Sequence, residues 1–414
     1  MSDQPHGETR SSLTGRHLAL VLVLFGAAYF LSLFFRSVNA ILTPVLERDL
    51  GLGPSDLGLL TASYFLGLGL FQVPIGLGLD AYGPRRVQAI LLVVAAAGVG
   101  LFAIGEGTAT LSIARALIGI GLGGCLMSAY HVAALWLPAE RIPLANGLYL
   151  AAGGLGTLAA TAPVNFALGF MDWRSMFAII GGMTLVLGIA IGWKTPDPPV
   201  RGALNLRAST AGLGTVVRNP LFARYLPLTA LSFATGTAMQ GLWASAWLRD
   251  VAGYSQSIVA VTLTAMAVAL TLGSVLGGAA GFLAERFGLH LRHVVLGSAA
   301  LFLIAQAGLL FAQGAWSVPL WLLFALTYNA ITLSYALVAR NVSIAYVGRS
   351  NSCMNTVTIL TTFAVQYGLG LYFGLHQDGA MRVSPEAYRI GMATLLALQA
   401  IAFAWALLGG RRRA

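Results

Sequence analysis

Four side chains that carry, or can carry, positive charge stand inside long apolar runs. They are Arg36 in "FFRSVNAILTP", Arg115 in "RALIGIGLGG", His131 and Arg340. A charge at the centre of a hydrocarbon-embedded helix costs at least ~2.5–3.5 kcal/mol, so each is a functional candidate. The acids do not match them. From Asp3 to Glu386, every carboxylate falls in a polar stretch or near the end of an apolar run. Arginines without carboxylate partners leave a positive field that an anion would complete, since guanidinium offers carboxylate a fixed fork of donors. Asn39 follows Arg36 by three residues and shares its helix face. Arg36 is therefore the first candidate for contact with an anionic ligand, its alternative being to snorkel or to bind a backbone carbonyl. Arg115 is either a second contact or an organiser of helix packing. His131 is either a proton carrier, because imidazole titrates near neutral pH, or a packing residue.

These residues must be held by helices in a membrane. The chain has 414 residues, 57% hydrophobic and 9% charged, with mean hydropathy +0.80. A soluble domain carries roughly 25% charged residues. Apolar runs of about 20 residues are long enough to cross a bilayer. Twelve are found: 18–44, 56–79, 87–105, 109–137, 143–168, 174–193, 222–248, 257–284, 291–313, 317–346, 351–374 and 389–409. The polar N-terminus has no small-residue cleavage site and does not read as a signal peptide. Cys125 and Cys353 lack metal spacing and read as packing residues. Cations concentrate on the connections of one side, among them Arg85, Arg86, Arg141, Arg218, Arg286 and Arg349, whereas Arg48, Arg174, Arg249, Arg382 and Arg389 fall on the other. The positive-inside rule then puts both termini in the cytoplasm. It also accounts for the net charge of +10 without nucleic acid. The chain divides into a tail (1–17), a six-helix bundle (18–193), a linker (194–221), a second six-helix bundle (222–409) and a basic tail (410–414). Gly76, Asp80 and Gly83 recur as Gly281, Glu285 and Gly288 at one offset of 205, the mark of a duplicated unit.

The stretch "GLGLDAYGPRR" between the second and third runs resembles the Gly-x-Leu-x-Asp-Arg-x-Gly-x-Arg-Arg motif of the major facilitator superfamily at Gly76, Asp80, Gly83, Arg85 and Arg86. Gly78 and Ala81 depart from it. Arg115, Gly119 and Gly121 resemble the family's Arg-x-x-x-Gly-x-Gly in span four, and "DWRSMF" at 172–177 its entry to span six. The resemblance covers nearly the whole chain. It implies an all-α membrane fold of twelve helices in two pseudo-symmetric bundles, alternating access and a central site. Asp80 would latch onto the positive start of span eleven at 349–352, and Glu285 onto span five at Pro143, closing the cytoplasmic side. Gly83 would make the turn, Arg85 and Arg86 would hold the loop, and Arg340 would sit at the inner gate. "RSVNA" resembles the RxxN of organic-anion members, where this arginine helps bind the anion.

The expected function is transport, as uptake, of a small anionic solute across a bacterial inner membrane, by a monomer among lipids. Candidate contacts are Arg36, Asn39, Tyr64, Arg115, Tyr130, Gln240, Trp243, Asn329, Asn355 and Gln366. Proton coupling would fall to His131, although Phe35 and Leu122 stand where proton-coupled relatives usually carry carboxylates. The alternatives are an exporter of hydrophobic or cationic compounds, using Tyr64, Trp243 and Trp247, and a non-transporting receptor on the same fold. Ala162 before Pro163 departs from the exporters' Gly-Pro motif. No Gly-x-x-x-x-Gly-Lys-Ser/Thr loop, metal-ligand set or Ser/His/Asp group is found, so no enzyme activity, cofactor or metal is expected.

Overall fold

The computed structural model describes residues 15–197, 213–312, 314–343, 346–378 and 382–408. Most of the N-terminal tail, the middle of the linker, the basic tail and the side chain of Glu285 lie outside the described residues.

Hydrocarbon offers the backbone no hydrogen bonds, so an apolar chain of this kind must satisfy them within helices. The ordered elements among the described residues are helices joined by short turns, apart from one isolated bridge between Gln377 and Val383. Ten stretches are long and apolar enough to cross a membrane. One is the 51-residue run Pro54–Ile104, which turns at Gly83, where φ is 77°. That turn divides it into spans two and three. Span seven runs as Pro220–Ala238, a π-helical turn Met239–Trp243 and Ala244–Asp250. These pieces lie outside the ten.

Several boundaries differ from expectation. Span one does not stop at 44: Gly15–Ser37 continues as Asn39–Leu50, which brings Glu47 into the helix. The segment 80–86 is not a loop but helix on either side of Gly83. The last helix of span ten ends at Ala339, with Arg340 as its exposed cap residue. The chain there leaves the helix before the apolar run ends.

The duplication is visible in packing. Gly67 of span two lies against the Ala116 carbonyl of span four, and Gly119 of span four against the Tyr64 carbonyl of span two. In the second half, Gly273 of span eight lies against the Leu326 carbonyl of span ten. Such backbone-to-backbone contact is how membrane helices gain attraction where lipid removes the hydrophobic driving force. Gly83 and Gly288 both take a positive φ, 77° and 73°, in keeping with their shared offset. The helix ends are tied alike. Arg85 Nε donates to the Gly192 carbonyl of span six at 2.8 Å, and Arg224 Nε to the Ala406 carbonyl of span twelve at 2.8 Å. Cations there complement the negative C-terminal ends of those helices. Arg85 and Arg86 also reach Asp197, at 3.6 and 3.7 Å, and so hold the start of the linker.

Gly119→Val or Gly273→Val should lower stability by about 1–3 kcal/mol, since a side chain there meets backbone. Gly182→Ala, with open space around its Cα, should not. Thermal unfolding of the purified protein in detergent reads the difference.

Candidate functional site

Span one is interrupted at Val38, where Gly15–Ser37 meets Asn39–Leu50. Arg36 lies in the last turn before the interruption. Its Nη2 donates to Thr237 Oγ1 of span seven at 2.7 Å. Its guanidinium carbon is 4.9 Å from the ring centre of Phe233 in the second half and 5.6 Å from that of Phe65 in the first. The charge thus sits between rings of both bundles, a geometry that stabilises a desolvated cation. Among the described residues no carboxylate pairs with it.

Arg115 stands behind this turn, fully buried at 0% exposure, and its Nη2 donates to the Phe35 carbonyl at 2.8 Å. That carbonyl belongs to the last turn of Gly15–Ser37, whose acceptors the helix cannot satisfy internally. Arg115 also lies 5.2 Å from the Tyr64 ring centre, while Tyr64 Oη donates to the Ser32 carbonyl at 3.0 Å. Both side chains brace the segment that carries Arg36.

The neutral candidates divide. Asn39 Nδ2 donates to Thr61 Oγ1 at 2.8 Å, leaving its buried Oδ1 without a partner. In the π turn, Gln240 Oε1 accepts from Tyr328 Oη at 3.0 Å, and Gln240 Nε2 is unpartnered. Trp243 lies edge-on to Phe373 with ring centres 4.8 Å apart, its Nε1 also unpartnered. Gln366 is 0% exposed, and neither of its amide atoms has a partner. Asn355 Nδ2 reaches Gln72 Oε1 at 3.4 Å, linking spans eleven and two. Asn329 departs from the group: its Nδ2 donates to Ser274 Oγ at 2.6 Å and ties span ten to span eight. Its neighbour Tyr328 is the residue that joins Gln240. Tyr130 is half-buried on span four. Thr237, Phe65 and Phe233 were not singled out by sequence. An uncharged threonine or phenylalanine in an apolar run carries no signal there.

The two ends of the bundle differ. At one, Glu47 Oε2 of the first half is 2.9 Å from Arg249 Nη1 of the second. Gly58 and Gly370 pack backbone to backbone across the same seam, and Ser55 Oγ donates to the Gly370 carbonyl at 3.3 Å. A cavity of only about 10 Å³ remains there. At the other end, Asp80 does not meet the start of span eleven. Its Oδ1 is 3.4 Å from His131 Nε2 of span four, with the two side chains 66% and 40% exposed. The expected latch across the halves is therefore unmade in this conformation, and Asp80 is held within its own half. His131 Nδ1 lies 3.0 Å from the Met127 carbonyl. Both ring nitrogens thus face acceptors. Gly76 meets no neighbouring side chain.

Residues 25–365 match the family described as the Major Facilitator Superfamily. The chain is 26% identical over 346 residues to a protein of Agrobacterium vitis named as a tartrate transporter, covering 78% of this chain and 74% of that one. It is 22% identical over 277 residues to a Cupriavidus necator protein named as a sulfoacetate transporter, covering 64% of each. Among solved structures it resembles a bacterial homologue of the human lysosomal transporter Spinster, with a TM-score of 0.78 at 17% identity, over 96% of this chain and 98% of that one. With a matched segment that contains Arg36, Asp80, Arg115 and most of both bundles, the chain belongs to the Major Facilitator Superfamily.

Proposed function

We propose that the chain moves a small organic anion across a bacterial inner membrane by alternating access, through twelve crossings with both termini cytoplasmic. The observation that carries this reading is Arg36: a guanidinium at the seam of the two halves, sandwiched by rings from each and lacking a carboxylate. A carboxylate arriving there would take the fork that now binds Thr237. The unpartnered atoms of Asn39, Gln240, Trp243 and Gln366 supply neutral hydrogen-bonding groups for the rest of the solute, and Tyr130 and Asn355 flank them. Relatives named for tartrate and sulfoacetate support the anion class. A cationic solute would meet Arg36 as a like charge, which disfavours the exporter reading.

On this reading the Glu47 end faces outward and is shut, and the Asp80 end faces the cytoplasm. Arg115 positions Arg36 and does not touch the solute. The Asp80–His131 pair holds Asp80 until span eleven returns, with Arg340 and Glu285 at the same end. The protein works as a monomer, and protons enter the cycle, where they do, through His131.

Two results are expected. A carboxylate at about 100 times its Kd stabilises a binding protein by ~2.7 kcal/mol. A panel of hydroxy-acids, dicarboxylates, sulfonates, inorganic oxyanions and lipophilic cations should therefore raise the melting temperature of the wild type with an organic anion, and not that of Arg36→Gln. Stabilisation only by lipophilic cations, or an unaltered response of Arg36→Gln, would sink the reading. Arg115→Leu leaves the Phe35 carbonyl unpaired. It should cost about 1–3 kcal/mol in thermal unfolding and weaken the anion's effect without abolishing it.

A further inference from the structure

Buried polar atoms without partners gather around the Arg36 turn. Gly241 of span seven lies against the Arg36 carbonyl, which sets Gln240 and Trp243 of the π turn beside it. Asn39 follows on span one and is tied to Thr61 of span two. One turn before Thr61, Gly58 lies against the Gln366 carbonyl of span eleven. Spans one, seven and eleven thus bring Asn39, Gln240, Trp243 and Gln366 to one level of the seam. All four are buried, and each holds an unpartnered atom.

The chemistry of those atoms defines a solute. Trp243 Nε1 is a donor only. Gln366 presents a donor and an acceptor whichever way its amide is turned, and both lack partners. An ionised carboxylate only accepts, so it satisfies Trp243 Nε1 but not the Gln366 side-chain oxygen. A methylene satisfies neither. A hydroxyl donates and accepts, and so serves both. Charge sets a second limit. Of the 24 lysines and arginines, only Arg36 and Arg115 stand away from the ends of spans, the connections and the tails. Arg115 is 0% exposed and committed to the Phe35 carbonyl. His131 lies with Asp80 at the end of the bundle. One cation is therefore on offer to the solute. A second carboxylate would be buried with its charge uncompensated, which is far less favourable than leaving it in water.

We propose that this site selects a hydroxylated monocarboxylate, with its carboxylate on Arg36 and its hydroxyls on Gln366 and Trp243. The proposal rests on the anion reading given above and adds to it the charge of the solute and the groups that must accompany that charge.

The test is the melting temperature of the purified protein against probes that share a carbon chain. Gluconate is a hydroxylated monocarboxylate, glucarate adds a second carboxylate, and hexanoate lacks the hydroxyls. Glycerate, tartronate and propionate repeat the comparison on a shorter chain. Gluconate or glycerate should stabilise the wild type at a concentration about tenfold or more below that needed of its two counterparts. Gln366→Leu removes atoms that have no partner in the protein, and should bring the hydroxylated and plain monocarboxylates within about threefold of each other. If that variant does not fold, Trp243→Phe, which removes one donor and keeps the ring, should narrow the same gap by about threefold. A dicarboxylate or plain fatty acid that stabilises as well as its hydroxylated monocarboxylate overturns the proposal. So does a preference that survives both variants in full, or a wild type that answers none of the probes. Where Arg36→Gln loses the response to a dicarboxylate or fatty acid, the anion reading stands without the proposal. A response that survives in Arg36→Gln removes both.

Discussion

A half-buried guanidinium with no carboxylate partner among the described residues leans on the protein around it, and Arg36 sets that demand at the centre of the fold. Its solvation is assembled from both halves: Thr237 and Phe233 from one, Phe65 from the other. Any rocking of the bundles alters that set, because the contributors cannot all stay in place. The charge is thus least well satisfied when the halves part. An anion that follows Arg36 through the motion would replace what parting removes. That is the differential interaction a ligand needs if it is to shift a two-state equilibrium.

The demand spreads outward through the backbone. A break in span one places the Arg36 turn, and broken helices leave carbonyls without intrahelical donors. Arg115 donates to one of them, that of Phe35. Close glycine contacts between spans two and four bring Tyr64 under Arg115 and onto Ser32. On the facing side, the π turn at Met239–Trp243 sets Gln240 beside Tyr328. Such turns insert a residue into the helix and recur at functional sites. Rigid packing behind the seam and irregular backbone at it are complementary: the first fixes where the charge stands, the second supplies polar groups that a regular helix would hide.

Sequence made the fold legible because hydrocarbon is an unforgiving solvent. Apolar run length and cation placement each follow from it, and the 205-residue offset is matched by a positive φ at both Gly83 and Gly288. Arg36 was legible for the same reason, as a charge where charge is costly. What stayed hidden was pairing. Nothing in the chain distinguishes Asn329, which ties span ten to span eight, from its neighbour Tyr328, which joins Gln240. Thr237 is one threonine among many. Glu47 and Arg249 looked like span-end charges because periodicity reports which face a residue takes, not which helix it meets across a seam.

Asp80 shows why a motif can be read correctly and its contact still be missed. Its position and its frame of Gly83, Arg85 and Arg86 are as the motif implies, yet its partner here is His131 and not span eleven. A latch is by nature made in one state and broken in another. A carboxylate released from a helix N-terminus needs another donor or water, and His131, one span away in the same half, supplies it. On the proposed reading the two partners would compete for one carboxylate. On that reading, conformations in which Asp80 keeps His131 and Glu47 keeps Arg249 are the ones that face the cytoplasm. Reversing that pattern exchanges one exposed acid for another, so the cycle moves solvation from end to end with little net change in buried charge.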